Sequence, residues 1–169
     1  LLARHASFAP LADAIATGKL VVFNYRKPDG DSSVRELMPL KLRFAEGQWV
    51  LLAKQADQIK NFLLRRIIST VEISELDGKV VSDAEIAQAE ADLATFIDTN
   101  EARLSVTQGT EAWWYFGASP EPEVSIHFMD EALLAEDLLE FGADIKVLAP
   151  ESLGLRVSSG LTKVLESHA

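Results

Sequence analysis

Hydrophobic and polar residues alternate in short runs through the first half of the chain, and turn residues separate the runs. Such alternation is typical of half-buried β-strands. A helical run over Ser7–Lys19 precedes them. Five strands are predicted, at Leu20–Arg26, Val34–Phe44, Gln48–Lys54, Lys60–Leu64 and Arg66–Ile73. Five short strands with brief connections indicate a small barrel or a strongly curved sheet, and a five-stranded β-barrel is predicted.

Beyond residue 80 the hydrophobic period becomes helical, and Ser82 with Glu85 forms a capping-box pattern. Strands and helices then alternate, which indicates a small α+β domain of ferredoxin-like type. The predicted strands are Ala102–Val106, Val124–Phe128 and Ile145–Leu148, and the helices are Glu111–Phe116, Asp130–Phe141 and a last one that Pro150 starts. The chain is therefore predicted to be mixed α+β, with domains over 1–80 and 101–169 and a linker helix over 81–100.

Apolar and cationic residues alternate in the second predicted strand, so one face should be apolar and the other cationic. The apolar positions are Leu40, Leu42 and Phe44, and the cationic ones are Lys41 and Arg43. Arg35 shares the parity of the cations, unless Pro39 introduces a bulge.

The net charge of −10 hides an uneven distribution. From Lys19 to Ile68 there are ten basic and five acidic residues, whereas the remainder has six basic and 21 acidic residues. Because phosphate binding depends on clustered Lys and Arg, the predicted barrel is the part suited to an anionic ligand.

Basic and aromatic residues of the barrel form the candidate site. Its predicted cations are Arg35, Lys41 and Arg43 on one strand face, with Lys54 and Arg66 on later strands. Guanidinium groups suit phosphate, and Tyr25 or Trp49 could stack on an exposed base. The alternative is a solvated barrel exterior with Trp49 buried in the core.

Other classes of protein have no support in the sequence. There is no cysteine, no apolar run near the roughly 18 residues that span a bilayer, and no nucleotide-binding or nucleophile motif. His5, His127 and His168 lack metal-ligand spacing, and His127 is predicted to be structural. We therefore expect a cytoplasmic protein that is neither an enzyme nor bound to a metal, cofactor or membrane. Because the chain starts without Met, we expect an N-terminal part to be missing.

Four motifs between residues 25 and 67 resemble the WYL domain, an Sm/SH3-like barrel named for a Trp-Tyr-Leu triplet on its third strand. They are Tyr25-Arg26, Arg35-x-x-x-Pro39-Leu40, Gly47-Gln48-Trp49-Val50-Leu51 and Asn61-Phe62-Leu63-Leu64-Arg65-Arg66-Ile67. The passage Phe141–Pro150 resembles the extension that often follows that domain. The arrangement is most similar to the proteasome accessory factor B and C regulators, which activate DNA-damage genes in actinobacteria.

The resemblance implies a ligand sensor within a bacterial helix-turn-helix transcription regulator, whose barrel binds single-stranded DNA or RNA. The strand pattern and the resemblance together give the candidate site residues Tyr25, Arg26, Arg35, Lys41, Arg43, Trp49 and Arg66. Val50 stands where the triplet has Tyr, and Leu63 and Arg65 stand where the family's Phe-Arg-Leu-Asp-Arg-Ile stretch has Arg and Asp. One expected hydroxyl and one expected cation are thereby absent.

Further partners follow from the resemblance: promoter DNA through a missing helix-turn-helix, RNA polymerase, and a second subunit in a homo- or heterodimer. One alternative makes the ligand a small anionic metabolite or nucleotide. Another is a protein-interaction module, in which the acidic C-terminal half docks on a partner or second copy through Trp113 and Trp114. Those two rings could instead pack on the local sheet.

Overall fold

The computed structural model describes residues 5–167, which divide into two compact units, the first ending at Ala94 and the second beginning at Thr95. His168 lies outside the described residues. Within the described part no helix is both long and apolar enough to cross a membrane. The domain limits predicted at residues 80 and 100 stay a prediction.

The first unit holds one helix and a five-stranded antiparallel sheet. Its elements are α1 (Phe8–Thr17), β1 (Lys19–Arg26), β2 (Ser32–Ala45), β3 (Gln48–Gln55), β4 (Gln58–Leu63) and β5 (Glu72–Asp77). The strand order is β4-β3-β2-β1-β5, so consecutive strands pair except at β5, which returns to β1. A two-residue turn joins β2 to β3, and both Glu46 and Gly47 have positive φ there, as a type I′ hairpin requires.

The predicted strands are largely confirmed, but the predicted barrel is not closed. Among residues 5–167 the ladder ends at β4 on one side and at β5 on the other. The fifth strand was predicted over Arg66–Ile73, whereas Leu64–Arg66 forms a 3-10 turn and β5 begins only at Glu72. The Ser69 hydroxyl accepts the Asn24 backbone N–H at 2.8 Å. A side chain thus occupies a position that a strand carbonyl would fill, and regular pairing starts later.

One core lies on one face of this sheet, which we call the inner face. It contains Val21, Phe23 and Tyr25 of β1, together with Leu51 of β3 and Phe62 of β4. The helix α1 adds Leu11 and Ala14, both completely buried. The opposite side of the sheet is called the outer face.

The second unit contains a small three-stranded antiparallel sheet in the order β7-β6-β8. After α2 (Asp83–Thr99), which spans the division between the units, follow β6 (Glu101–Val106), α3 (Glu111–Tyr115), β7 (Glu123–His127), α4 (Glu131–Leu139), β8 (Ile145–Ala149) and α5 (Glu151–Ser167). A ferredoxin-like unit has the order β-α-β-β-α-β. In residues 95–167 a helix follows every strand, so the predicted ferredoxin-like arrangement is not formed.

Two helices begin at a capping side chain, and a third does not. The Ser82 hydroxyl accepts the Glu85 N–H, and the Glu85 carboxylate accepts the Ser82 N–H. Asp130 caps α4 by accepting the Leu133 N–H at 3.0 Å. Ser7 precedes α1 but makes no capping hydrogen bond with its side chain.

Candidate ligand-binding site

A β-bulge in β2 decides where the predicted cations point. The pairing of β2 with β3 shifts between Pro39 and Lys41, so that Leu40 is an extra residue with no partner in the register. Because side chains alternate between faces, one extra residue reverses the parity of everything after it. The alternative that Pro39 introduces a bulge is therefore confirmed.

Arg35 lies on the inner face, where it is the register partner of the core residue Phe23. Its guanidinium carbon is 5.8 Å from the centre of the Tyr25 ring and 5.9 Å from that of Phe62. Both distances are within the range of a cation–π contact. The Arg35 Nη1 donates to the Gln55 Oε1 at 3.1 Å. Two aromatic rings and one amide thus hold this guanidinium at the inner face.

Part of the hydrogen-bonding capacity beside the rings is unused. The Arg35 Nε is buried and has no hydrogen-bond partner within the described residues, and the same is true of the Ser33 hydroxyl. Ser33 is two residues before Arg35, on the same face of β2. Buried polar groups are almost always satisfied, so two unsatisfied ones in adjacent positions indicate a place for a ligand or water.

Tyr25 and Arg66 support this end of the sheet. The Tyr25 hydroxyl accepts the Leu63 N–H at 3.0 Å, and its ring packs on Phe62 at 5.3 Å. Arg66 is only 2% exposed, and its Nη1 donates to the Arg26 carbonyl oxygen at 3.2 Å. Tyr25 and Arg66 thus make hydrogen bonds within the protein with their side chains, and Arg26 contributes its backbone carbonyl oxygen. Their contacts with a ligand stay a prediction.

Lys41 and Arg43 lie on the outer face and are paired with a carboxylate. The Glu90 side chain of α2 accepts a hydrogen bond from the Lys41 Nζ at 2.6 Å and lies 3.4 Å from the Arg43 Nη1. The hydrogen bond from Lys41 lowers the pKa of Glu90 below its usual value, and the charges of Lys41 and Arg43 act in the same direction. Unbroken alternation along β2 would have placed these two cations on the same face as Arg35. Because of the bulge they lie on the opposite face.

Trp49 belongs to the core. Its ring makes edge contacts with Phe8 of α1 at 4.7 Å and with Phe44 at 5.3 Å. The indole Nε1 is buried and has no hydrogen-bond partner in the described part of the chain. Trp49 is thus half-buried and packs against the core of the first unit. Its contact with a base stays a prediction.

The two departures from the WYL pattern, Val50 and Leu63, are direct register partners on β3 and β4. They form one row across the outer face with Arg43, which pairs with Val50 from the other side. Val50 is completely buried and Leu63 is 7% exposed. An apolar pair thus fills the place where the family pattern has a hydroxyl and a cation.

Sequence reasoning missed three contributors. Phe62 was noted only as part of a motif, although its ring forms half of the support under Arg35. Gln55 and Glu90 are separated from their partners by 20 and 47 or more residues, and neither stands in a recognisable motif. Only the fold brings them together.

Residues 6–73 of this chain match the family model of the WYL domain. This chain is a WYL-domain protein. It is 25% identical over 174 aligned residues to the protein PafC of Mycobacterium tuberculosis, in two strains, and the alignment covers 95% of this chain. The chain spans 54% of the length of these curated relatives. The WYL family is regulatory and generally non-catalytic.

A solved structure extends the likeness to the fold of both units. Proteasome accessory factor B/C (PafBC) of Arthrobacter aurescens matches with a TM-score of 0.55 and 23% identity, over 89% of this chain and 26% of that one. The WYL-domain protein is therefore distantly related to the PafB and PafC factors along nearly its whole length.

Proposed function

We propose that the WYL domain senses single-stranded nucleic acid and that Arg35 is the principal contact. The observation that carries this proposal is the guanidinium held over two aromatic rings with its Nε buried and unpartnered within residues 5–167. A guanidinium can offer phosphate two parallel hydrogen bonds, and Nε is one of the donors that form such a pair.

Charge supports the same proposal. The segment from Lys19 to Ile68 has twice as many basic as acidic residues, in a chain that is acidic elsewhere. A short strand fits this distribution better than a long duplex, because the acidic remainder repels extended phosphate backbones. With Lys41 and Arg43 paired to Glu90, few phosphates are neutralised and the salt dependence of binding should be shallow.

The test is a titration of labelled oligothymidylate, about a dozen nucleotides long, at several salt concentrations. Arg35→Ala should weaken binding about tenfold or more, the scale of a charged hydrogen bond. Arg65→Ala is the matched control, since it removes the same charge from an exposed position of the same unit. Equal losses in the two variants would show that only general charge matters, and the proposal would fail.

A second candidate is a small anionic ligand, such as a nucleotide or anionic metabolite. The unpartnered Ser33 hydroxyl beside Arg35 favours it, because one serine and one arginine suit a single phosphate or carboxylate. Thermal-shift measurements with mononucleotides and with the oligonucleotide separate the candidates. Stabilisation by the mononucleotide alone, lost in Arg35→Ala, would select the small ligand.

We further propose that this chain is the sensing part of a bacterial helix-turn-helix regulator of the PafBC type, acting as a homo- or heterodimer on promoter DNA with RNA polymerase. Distant similarity to PafC over 95% of the chain supports this role, as does the chain's coverage of only about half of that protein. The full reading frame tests it: a helix-turn-helix upstream is expected, and a complete frame without one would contradict it.

A further inference from the structure

Two large aromatic rings of the second unit are exposed next to each other. Trp114 is 68% exposed and Tyr115 is 67% exposed, both on the short helix α3. We call these two side chains the aromatic surface. Trp and Tyr are the residues most enriched at energetically important positions of protein interfaces. Their adjacent exposure distinguishes them from Trp113, which is half-buried and packs within the unit.

Contacts within the second unit hold the aromatic surface in place. Ala112 is completely buried and anchors the helix, and the Trp113 Nε1 donates to the Ser119 carbonyl oxygen at 2.8 Å. Trp114 rests on Trp113 at 4.8 Å. The Tyr115 ring lies 5.2 Å from that of Phe141, after α4. Exposed rings that are already ordered lose little conformational entropy when a partner covers them.

The segment of the chain that contains the aromatic surface carries charge of one sign. The acidic segment, residues 104–145, carries nine carboxylates and no Lys or Arg. Glu111 is three residues before Trp114 and four before Tyr115, so it lies on the adjacent side of the same helix. Glu140 directly precedes Phe141. Phosphate is repelled by such a surface, whereas lysine and arginine are attracted to it.

We propose that the aromatic surface docks a cationic protein segment in which arginine or lysine alternates with apolar residues. Guanidinium and ammonium groups bind the faces of Trp and Tyr through cation–π contacts. The flanking carboxylates attract the same groups, and the apolar side chains cover the ring edges. Complementary charge thus selects a basic protein partner over nucleic acid and over a second acidic surface of the same kind. The residues of this site belong to the second unit, and those around Arg35 belong to the first.

The test uses the full chain and a labelled peptide of alternating Arg and Leu, beside a matched peptide with Glu in place of every Arg. Only the Arg peptide should bind, and Trp114→Ala and Tyr115→Ala should each weaken it about three- to tenfold, the size of a cation–π contact. Leu165→Ala is the control, because Leu165 is exposed on α5 of the same unit. Unchanged melting temperatures are expected for all three variants, since each side chain is mostly exposed.

Three results would overturn the proposal. The first is equal affinity of the parent, Trp114→Ala and Tyr115→Ala, which would mean that the acidic charge alone attracts the peptide. The second is self-association in sedimentation that Trp114→Ala abolishes, which would assign the surface to a second copy. The third is loss of oligonucleotide binding in Trp114→Ala, which would make it a nucleic-acid contact.

Discussion

Arg35 and Lys41 lie on the same strand, yet they differ in what they face. Arg35 faces two aromatic rings and an amide and keeps a buried donor without a partner among residues 5–167. Lys41 and its neighbour Arg43 share the carboxylate of Glu90 on α2. The extra residue Leu40 separates the two environments. A count of cations along β2 therefore overstates the charge that is available to a ligand.

The difference also shows what each group of cations does for the protein. Glu90 neutralises the outer pair and links α2 to β2, so these cations contribute to the folded state. Arg35 lacks a carboxylate partner in the described part of the chain and is held by weaker contacts. A buried donor left unsatisfied costs stability, and such a cost is typical of positions retained for binding.

Replacing Leu42 by Lys should have the largest effect, because Leu42 lies beyond the bulge on the inner face, opposite the buried Leu51. A cation placed there has no carboxylate like Glu90 to pair with among residues 5–167, so the change should destabilise the protein by about 2 kcal/mol or more. Urea unfolding followed by near-UV circular dichroism measures the loss. Leu76→Lys, the same change at an exposed position of β5, is the control and should be tolerated. Equal stability of the two variants would contradict the placement of Leu42 on the inner face.

Replacing Arg35 by Met should separate binding from stability. The change removes a buried unsatisfied donor and keeps an apolar side chain over the rings, so stability should stay within about 1 kcal/mol of the parent or rise. Binding of the oligonucleotide or mononucleotide should be lost. Unfolding in urea and the ligand titration are run on the same sample. A large loss of stability would instead make Arg35 a structural residue.

Replacing Glu90 by Gln should have a smaller effect, and it should raise oligonucleotide affinity where Arg35→Met abolishes it. Losing a partly exposed ion pair should cost about 0.5 kcal/mol of stability. The freed Lys41 and Arg43 can then attract phosphate, so oligonucleotide affinity should rise slightly and depend more steeply on salt. Glu101→Gln, an exposed change in the second unit, is the matched control. An unchanged salt dependence would show that the outer face is inaccessible to the ligand.

The pH dependence of that ion pair should give the smallest effect. Because the pKa of Glu90 is lowered in the folded state, its contribution is fully present above the unfolded value near 4.5 and is lost as the pH falls through the folded value. The stability difference between the parent and Glu90→Gln should therefore be constant near neutral pH and disappear once the pH has fallen below the folded-state pKa of Glu90. Glu85, whose pKa is also lowered, is present in both proteins and cancels. A difference that persists in acid would contradict the assignment.

The positions of the first four strands could be predicted from the sequence because turn residues and alternating hydrophobicity are local signals. Gly47 and the run from Gln48 to Lys54 are examples. The start of β5 could not be predicted, because Arg66–Ile73 has the composition of a strand. The Ser69 hydroxyl takes a place in the ladder there, and composition does not reveal it.

The candidate site was predictable only in part, for a similar reason. The basic character of the region and the choice of Arg35 as a candidate follow from residue types and motifs. The arrangement of the cations depends on one residue in β2: Leu40 is apolar and suits a strand whether or not it is bulged. Trp49 fits both a ligand-binding motif and a place beside the core, and its contacts with Phe8 and Phe44 could not be read from the sequence.

Val50 and Leu63 have to be considered as a pair, because each is the other's direct register partner on β3 and β4. Val50→Tyr alone would press a hydroxyl against leucine, and Leu63→Arg alone would bury a charge beside valine. For neighbours of this kind the free-energy changes of two substitutions are not additive. The two residues therefore act as one energetic position, and neither can be exchanged without regard to the other.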